Sequence, residues 1–157
     1  VNSADKIVLD TKRLVENLTG DDRPVVFTNG CFDILHRGHV SYLETAAKLG
    51  NTLVVALNSD SSVQTLGKGA NRPVNTLDDR MAVVAALACV DWVTFFDQPT
   101  PMDLILALKP DRLVKGGDWA VEHIVGATEV IANGGSVHSV PVEFDRSTSA
   151  IIERIRR

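Results

Sequence analysis

Polar and apolar positions along the chain fall into two alternating rhythms. Short apolar runs rich in β-branched residues occupy Val25–Thr28, Leu53–Leu57, Trp92–Phe95, Arg112–Lys115 and Val137–Val140. Several are apolar almost throughout, the pattern of a strand buried on both faces of a parallel sheet. Between them lie segments with helical spacing and recognisable ends. Val40–Leu49 stops at Gly50, Thr76 stands three residues before Asp79 ahead of 81-MAVVAALA-88, and Thr100-Pro101 opens a further helix with Asp103 in its first turn. A helix over Glu122–Asn133 runs into Gly134–Gly135, and Ser147 caps the last one, 148-TSAIIERIRR-157.

Strands alternating with helical crossovers predict an α/β fold: a doubly wound, Rossmann-like five-stranded parallel sheet with helices on both faces. Ligands of such folds sit outside the carboxyl ends of the strands, where the strand order reverses. Residues 1–23, with a helix at about Thr11–Leu18, read as an N-terminal helical appendage, and 24–157 as the main domain. The irregular stretch 67-GKGANRPVNT-76 reads as a mobile loop.

Composition narrows the setting. The 157 residues are 45% hydrophobic and 23% charged, with a net charge of -4, which suits an ordinary soluble globular protein and argues against bulk nucleic-acid binding. No apolar run reaches the roughly eighteen residues that span a bilayer. The N-terminus, VNSADKIVLD, lacks the pattern of a signal peptide, and the missing initiator Met points to processing or to a piece of a longer protein. Cys31 and Cys89 are too few for a disulfide framework and lack zinc-ligand spacing, so a reduced, cytoplasmic setting is expected. Cys31 reads as a small residue packed in a turn, and Cys89 as core.

The chemistry concentrates in 28-TNGCFDILHRGH-39, which leaves the first strand and feeds the first long helix. Gly30 suits a tight turn, Gly38 suits close approach of a ligand to the backbone, and the free N–H groups of the helix start favour an anion. His36 and His39 stand there as phosphate donors. As metal ligands they would need a carboxylate or thiolate partner, and only Asp33 is near. His123 and His138 fit no motif and read as surface or packing residues.

His36-Arg37-Gly38-His39 matches the HxGH signature of the nucleotidyltransferase superfamily, which includes the cytidylyltransferases. With 72-RPVNTLDDRM-81, 114-VKGGDW-119 and 147-STSAIIERI-155, the chain from about Pro24 onward resembles the family of D-glycero-β-D-manno-heptose 1-phosphate adenylyltransferases, free-standing or as the C-terminal half of a bifunctional kinase–adenylyltransferase. The resemblance implies transfer of AMP from ATP to the sugar 1-phosphate by in-line attack, expelling pyrophosphate, with Mg²⁺ held mainly by substrate phosphates. It implies that His36 and His39 hold the triphosphate, that Thr28 and Asn29 line the phosphate site, and that Ser147, Thr148 and Ser149 serve its outer phosphates. An ordinary N-cap is the competing reading for Ser147. Ser149 departs from the family's more frequent threonine but keeps the hydroxyl.

By the same resemblance Lys68 swings onto the phosphates, against a merely solvated loop lysine, and Arg80 lies near the nucleotide. Lys115 reaches a phosphate, and Gly116 and Gly117 let the backbone lie along a base or sugar. Arg72, Asp118 and Trp119 line the acceptor side; Trp119 stands where the family usually has tyrosine. Asp33 either orients the acceptor or stabilises its turn, and Asn58 and Asp60 either line the site or, for Asp60, cap a helix. The resemblance also implies a homodimer or larger assembly. The rival readings are a cytidylyltransferase acting on glycerol 3-phosphate or another alcohol phosphate, and a nucleotide-sensing domain without catalysis. A dinucleotide-binding dehydrogenase should show GxGxxG after the first strand, and it does not.

Overall fold

The computed structural model describes residues 2–141, 143–144 and 146–157. Five strands, β1 (Val25–Gly30), β2 (Thr52–Asn58), β3 (Trp92–Phe96), β4 (Arg112–Gly116) and β5 (Ser136–Val140), form one sheet in the order β3-β2-β1-β4-β5. Every pairing is parallel, with Val26 opposite Leu53 on one side and Arg112 on the other. The order reverses between β1 and β4, so the crevice of this fold opens at the carboxyl ends of those two strands.

Successive residues of the central strands feed two cores. Val25 and Phe27 of β1, with Val54 and Ala56 of β2, face one side and bury with Leu113. That face is covered by Leu14 of α1 (Thr11–Asn17), Leu104, Ile105 and Leu108 of α5 (Met102–Leu108), and Ala127 and Val130 of α6 (Ala127–Ala132). Val26, Leu53, Val55, Leu57 and Val114 face the other side, under Leu43 and Ala46 of α2 (Arg37–Ala47) and Met81, Val84 and Ala85 of α4 (Leu77–Ala85). The period of two along β1 and β2 therefore separates two apolar faces, and each needs its own helical layer.

The N-terminal segment shares this core: Leu14 is fully buried, Val8 nearly so, and Ile7 bridges Val93 on the β3 edge. Lys6 Nζ donates to the Leu87 and Val90 carbonyls at 3.1 and 2.7 Å, which ties the segment to the turn before β3.

Helix boundaries depart from the periodicity in four places, one of them α4, which ends at Ala85 and not at the expected Ala88. α2 begins at Arg37, ahead of Val40, because the His36 carbonyl accepts from His39 N–H at 2.9 Å and starts the turn. It ends at Ala47 rather than Leu49. Gly50 is no left-handed cap; a Cβ there would lie 2.3 Å from the Pro24 carbonyl oxygen, so the glycine serves close approach of two backbones. The expected helix over Glu122–Asn133 is split into a single 3₁₀ turn, Val121–His123, and α6, with Gly126 at φ 85° between them. A short helix absent from the periodicity, α3 (Asp60–Thr65), follows β2 and is capped by Ser59, whose hydroxyl accepts from Ser62 N–H. Asp60 is therefore not the cap. Thr76 caps α4 and Ser147 caps α7 (Thr148–Ile155), as expected.

Candidate active site

Beyond β1 the chain turns on Phe32, a non-glycine residue at φ 47°. Its ring lies over Gly30, where a Cβ would come within 2.9 Å of it. The left-handed turn thus falls to Phe32, and Gly30 makes room for the ring. The turn delivers Asp33 into a nearly solvent-free position, where its carboxylate accepts from Arg72 Nε at 2.6 Å and from the Val74 and Asn75 amides at 2.9 Å. Asn75 Nδ2 returns a bond to the Asp33 carbonyl at 2.7 Å. Burial alone raises the Asp33 carboxyl, but the Asn75 and Val74 amides and Arg72 outweigh it and hold it below the ordinary 3.8. The side chain expected either at the acceptor or in a turn is thus the clamp that fastens 72–76, half of the irregular loop, against the end of β1.

Arg80 is also not where the resemblance led. Its side chain is 0% exposed, and its fork is spent on protein: Nε on the Asn75 carbonyl at 3.1 Å, one terminal nitrogen on the Cys31 and Asn58 carbonyls at 2.7 and 2.9 Å, the other on Asp60 at 2.7 Å. Arg80 ties the ends of β1 and β2 to the loop and to α3. Asp60 is its partner, and neither residue lines a cavity of the site.

A cavity of about 580 Å³ opens between the N-termini of α2 and α7 at the carboxyl ends of β1 and β4. His36 and His39 form one wall, their rings stacked with centroids 3.8 Å apart. A Cβ on Gly38 would sit 3.1 Å from the His36 ring, so this glycine admits the imidazole rather than a ligand. Nδ1 of each histidine is buried with no hydrogen-bond partner among the described residues. Burial lowers the His36 pKa from 6.5, and burial with nearby His36 and Lys68 pushes His39 down to about 4. Both rings are neutral at pH 7. A buried, unpaired imidazole nitrogen is costly, and a polar ligand relieves that cost.

Opposite stand Ser147, Thr148 and Ser149. Ser147 accepts from Ala150 N–H at 3.1 Å, Thr148 donates to the Ile34 carbonyl at 3.2 Å, and Ser149 accepts from Arg72 at 3.4 Å. All three hydroxyls therefore also build the cavity wall. Lys68, Arg72, Lys115 and Arg146 supply positive charge around it, and Asn29 and Gly116 complete its floor. Burial, with nearby Lys68, lowers the Lys115 pKa.

Thr28, expected to line the phosphate site, is fully buried beneath it and bonds the Tyr42 hydroxyl at 2.5 Å. Tyr42 also donates to the Val114 carbonyl at 3.1 Å and faces the cavity; burial pushes its hydroxyl to about 12. It escaped the sequence reading, although it lies one turn after His39 on the same face of α2. Arg146 escaped too, beside the serine cap, as did the cavity-lining position of Cys31, whose sulfur lies 3.3 Å from Lys68 Nζ.

A second cavity, about 260 Å³, adjoins the first and contains Asn58 and Trp119. The Trp119 indole donates to the Gly116 carbonyl at 3.0 Å, and its ring fills the space over Gly117, where a Cβ would be 3.1 Å away. That backbone is covered by the protein's own side chain and does not lie open to a base or sugar. Gly117 and Asp118 line neither cavity. Among the described residues no group of three or more His, Cys, Asp or Glu could hold a metal, and the Asp33 and Asp60 carboxylates are already engaged. Any divalent ion would be held by the phosphates of a ligand.

Comparison with known proteins agrees with this geometry. The cytidylyltransferase-like family matches residues 27–154. The chain is 54% identical over 135 residues to D-beta-D-heptose 1-phosphate adenylyltransferase of Bordetella bronchiseptica, covering 86% of this chain and 83% of that protein. It is 60% identical over 132 residues to the bifunctional protein HldE of Psychromonas ingrahamii, of which it spans 28%. Among solved structures, the lipopolysaccharide core biosynthesis protein of Thermoplasma volcanium superposes with a TM-score of 0.62 at 30% identity, over 77% of this chain and 98% of that one. Pantoate-beta-alanine ligase of Francisella tularensis superposes with a TM-score of 0.63 over 91% of this chain and 68% of its own; at 15% identity it shares the fold alone. The family's span covers the HxGH turn, both cavities and most of the helix behind the serines. This chain belongs to the cytidylyltransferase-like family.

Proposed function

We propose that this chain transfers AMP from ATP to D-glycero-β-D-manno-heptose 1-phosphate, forming ADP-heptose and pyrophosphate. The observation that carries the reading is the stacked pair of neutral histidines, each with a buried Nδ1 unpartnered among the described residues, at the start of α2 and across the cavity from the start of α7. Two helix N-termini and a ring of cations suit a polyphosphate. The choice of sugar rests on the 54% identity to a heptose 1-phosphate adenylyltransferase over 83% of its length.

An oxygen of the acceptor phosphate forms a bond to the α-phosphorus while the bond to the bridging oxygen of the β-phosphate breaks, and pyrophosphate leaves. No protein nucleophile takes part, so the protein contributes position and charge. Neutral imidazoles can each donate one N–H, and the triphosphate's negative field favours their protonated form. Lys68 and Lys115 neutralise charge that builds up between the two phosphates. Mg²⁺ enters as part of the nucleotide substrate. The acceptor comes from a sugar kinase, fused or separate, and the reaction takes place in the cytoplasm, where ATP is available.

Pyrophosphate release decides the matter. ATP with heptose 1-phosphate should give turnover, whereas CTP with glycerol 3-phosphate should give little. The reverse pattern would overturn the assignment.

A further inference from the structure

β1 and β4 separate where the crevice opens. They pair only from Val26 with Arg112 to Thr28 with Val114, although β1 runs on to Gly30 and β4 to Gly116. Past that point each strand keeps to its other neighbour: Asn29 pairs with Ala56 of β2, and Lys115 with Ser139 of β5. Asn29 and Lys115 both line the two cavities. The β1–β4 ladder stops short of them, so it does not fix the gap between them.

Tyr42 stands at this fork. Its hydroxyl donates to the Val114 carbonyl at 3.1 Å and lies 2.5 Å from the Thr28 hydroxyl, the last pair before the strands part. A carbonyl cannot donate, so the single tyrosine proton goes to Val114 and Thr28 donates to Tyr42. The Tyr42 ring lies over Gly116, where a Cβ would be 3.3 Å from it. Phenylalanine would fill that space equally well, so what the tyrosine adds is the pairing across the fork. Tyr42 also lies one turn after His39, and so ties the helix that carries the histidines to both strands.

We infer that Tyr42 is a positioning residue for the transfer reaction: its hydroxyl is a wedge that sets the spacing of Asn29, Lys115 and the start of α2 around the reacting phosphate. This rests on the adenylyltransferase reading above. The hydroxyl is engaged by Thr28 and Val114 and acts through its neighbours. Transfer without a protein nucleophile depends on placement, and a misplacement of about 1 Å can cost on the order of a hundredfold in rate.

Tyr42→Phe keeps the ring and removes the wedge, and Thr28→Val removes one of its two contacts. For each variant, pyrophosphate release from ATP and heptose 1-phosphate gives kcat, and equilibrium binding gives the ATP Kd. The reactivity of Lys115 towards acetic anhydride across pH, read by mass spectrometry, reports on the gap without turnover. Burial and nearby Lys68 lower the Lys115 pKa against the opposing effect of Cys31, and water entering a loosened fork returns it towards 10.5. In Tyr42→Phe, kcat should fall tenfold or more, the ATP Kd should stay within threefold, and the Lys115 profile should move to higher pH. Thr28→Val should act in the same direction, and the double variant should be no worse than Tyr42→Phe alone. A smaller fall in kcat overturns the inference even where stability drops, because the hydroxyl then serves the fold alone. An unmoved Lys115 profile or additive losses in the double variant also overturn it. A larger rise in the ATP Kd does so too, by making the hydroxyl a nucleotide contact. Absence of pyrophosphate release by the wild-type chain is the distinct failure, that of the adenylyltransferase reading, and the Lys115 profile then tests the wedge by itself.

Discussion

Replacing Arg80 by lysine keeps the charge and removes the fork. The guanidinium makes four hydrogen bonds at 2.7–3.1 Å to three backbone carbonyls and one carboxylate, and its side chain is fully buried. An ammonium has one nitrogen, and the four acceptors are spread around three. At least two bonds are lost, each worth roughly 1.5–3 kcal/mol when the donor is charged. The remaining buried charge is incompletely paired, a situation that typically costs about 3–5 kcal/mol. Arg80→Lys should therefore lower unfolding stability by about 3–5 kcal/mol, a large share of the 5–15 kcal/mol typical of a domain. Urea unfolding gives this directly, and ATP binding measured well below the transition should remain within a few-fold of wild type. A stability change under about 1 kcal/mol together with ATP binding weakened tenfold would refute the argument. Arg80 would then contact nucleotide, as the family resemblance implies.

Gly38→Ala places a methyl 3.1 Å from the His36 ring. Pyrophosphate release should fall at least tenfold, while stability moves by no more than about 1 kcal/mol because alanine favours the first turn of α2; wild-type turnover would refute the packing role of Gly38. Asp33→Asn leaves Arg72 without its ion-pair partner and should cost about 3–5 kcal/mol in urea unfolding. The Asp33 carboxyl is held below 3.8 when folded, so its contribution is present above that value and disappears as pH falls through the folded one; the asparagine variant should lack this acid limb. His39 works in the opposite chemical sense to a carboxylate but with the same slope. Its pKa drops from 6.5 unfolded to about 4 folded, so the unfolded chain binds the extra proton between those values and stability declines as pH falls from 6.5 towards 4. His39→Gln should flatten that decline in thermal unfolding, and an identical profile would exclude a buried neutral His39.

Alternating apolar runs and their helical crossovers specify the parallel sheet and its two covered faces, because the period of two along β1 and β2 is a local property of the chain. Cap chemistry is equally local, so Thr76 and Ser147 mark helix starts without knowledge of the rest. The HxGH turn and the serine motif can be singled out as candidate phosphate-handling segments, since their residue types and spacing suit that chemistry. What distance along the chain conceals is who occupies whose space. Gly38 and Gly117 read as openings for a ligand and Gly30 as a tight turn, yet the His36, Trp119 and Phe32 rings fill the space over them. Arg80 reads as a ligand contact and Asp33 as either an acceptor contact or a turn residue, and their partners lie 5–49 and 39–42 residues away, which no periodicity encodes. A charged side chain without visible local partners reads as free for substrate. Only the tertiary structure decides whether the carbonyls and amides of distant loops have already claimed it, because a buried charge must be paired before it can be buried at all.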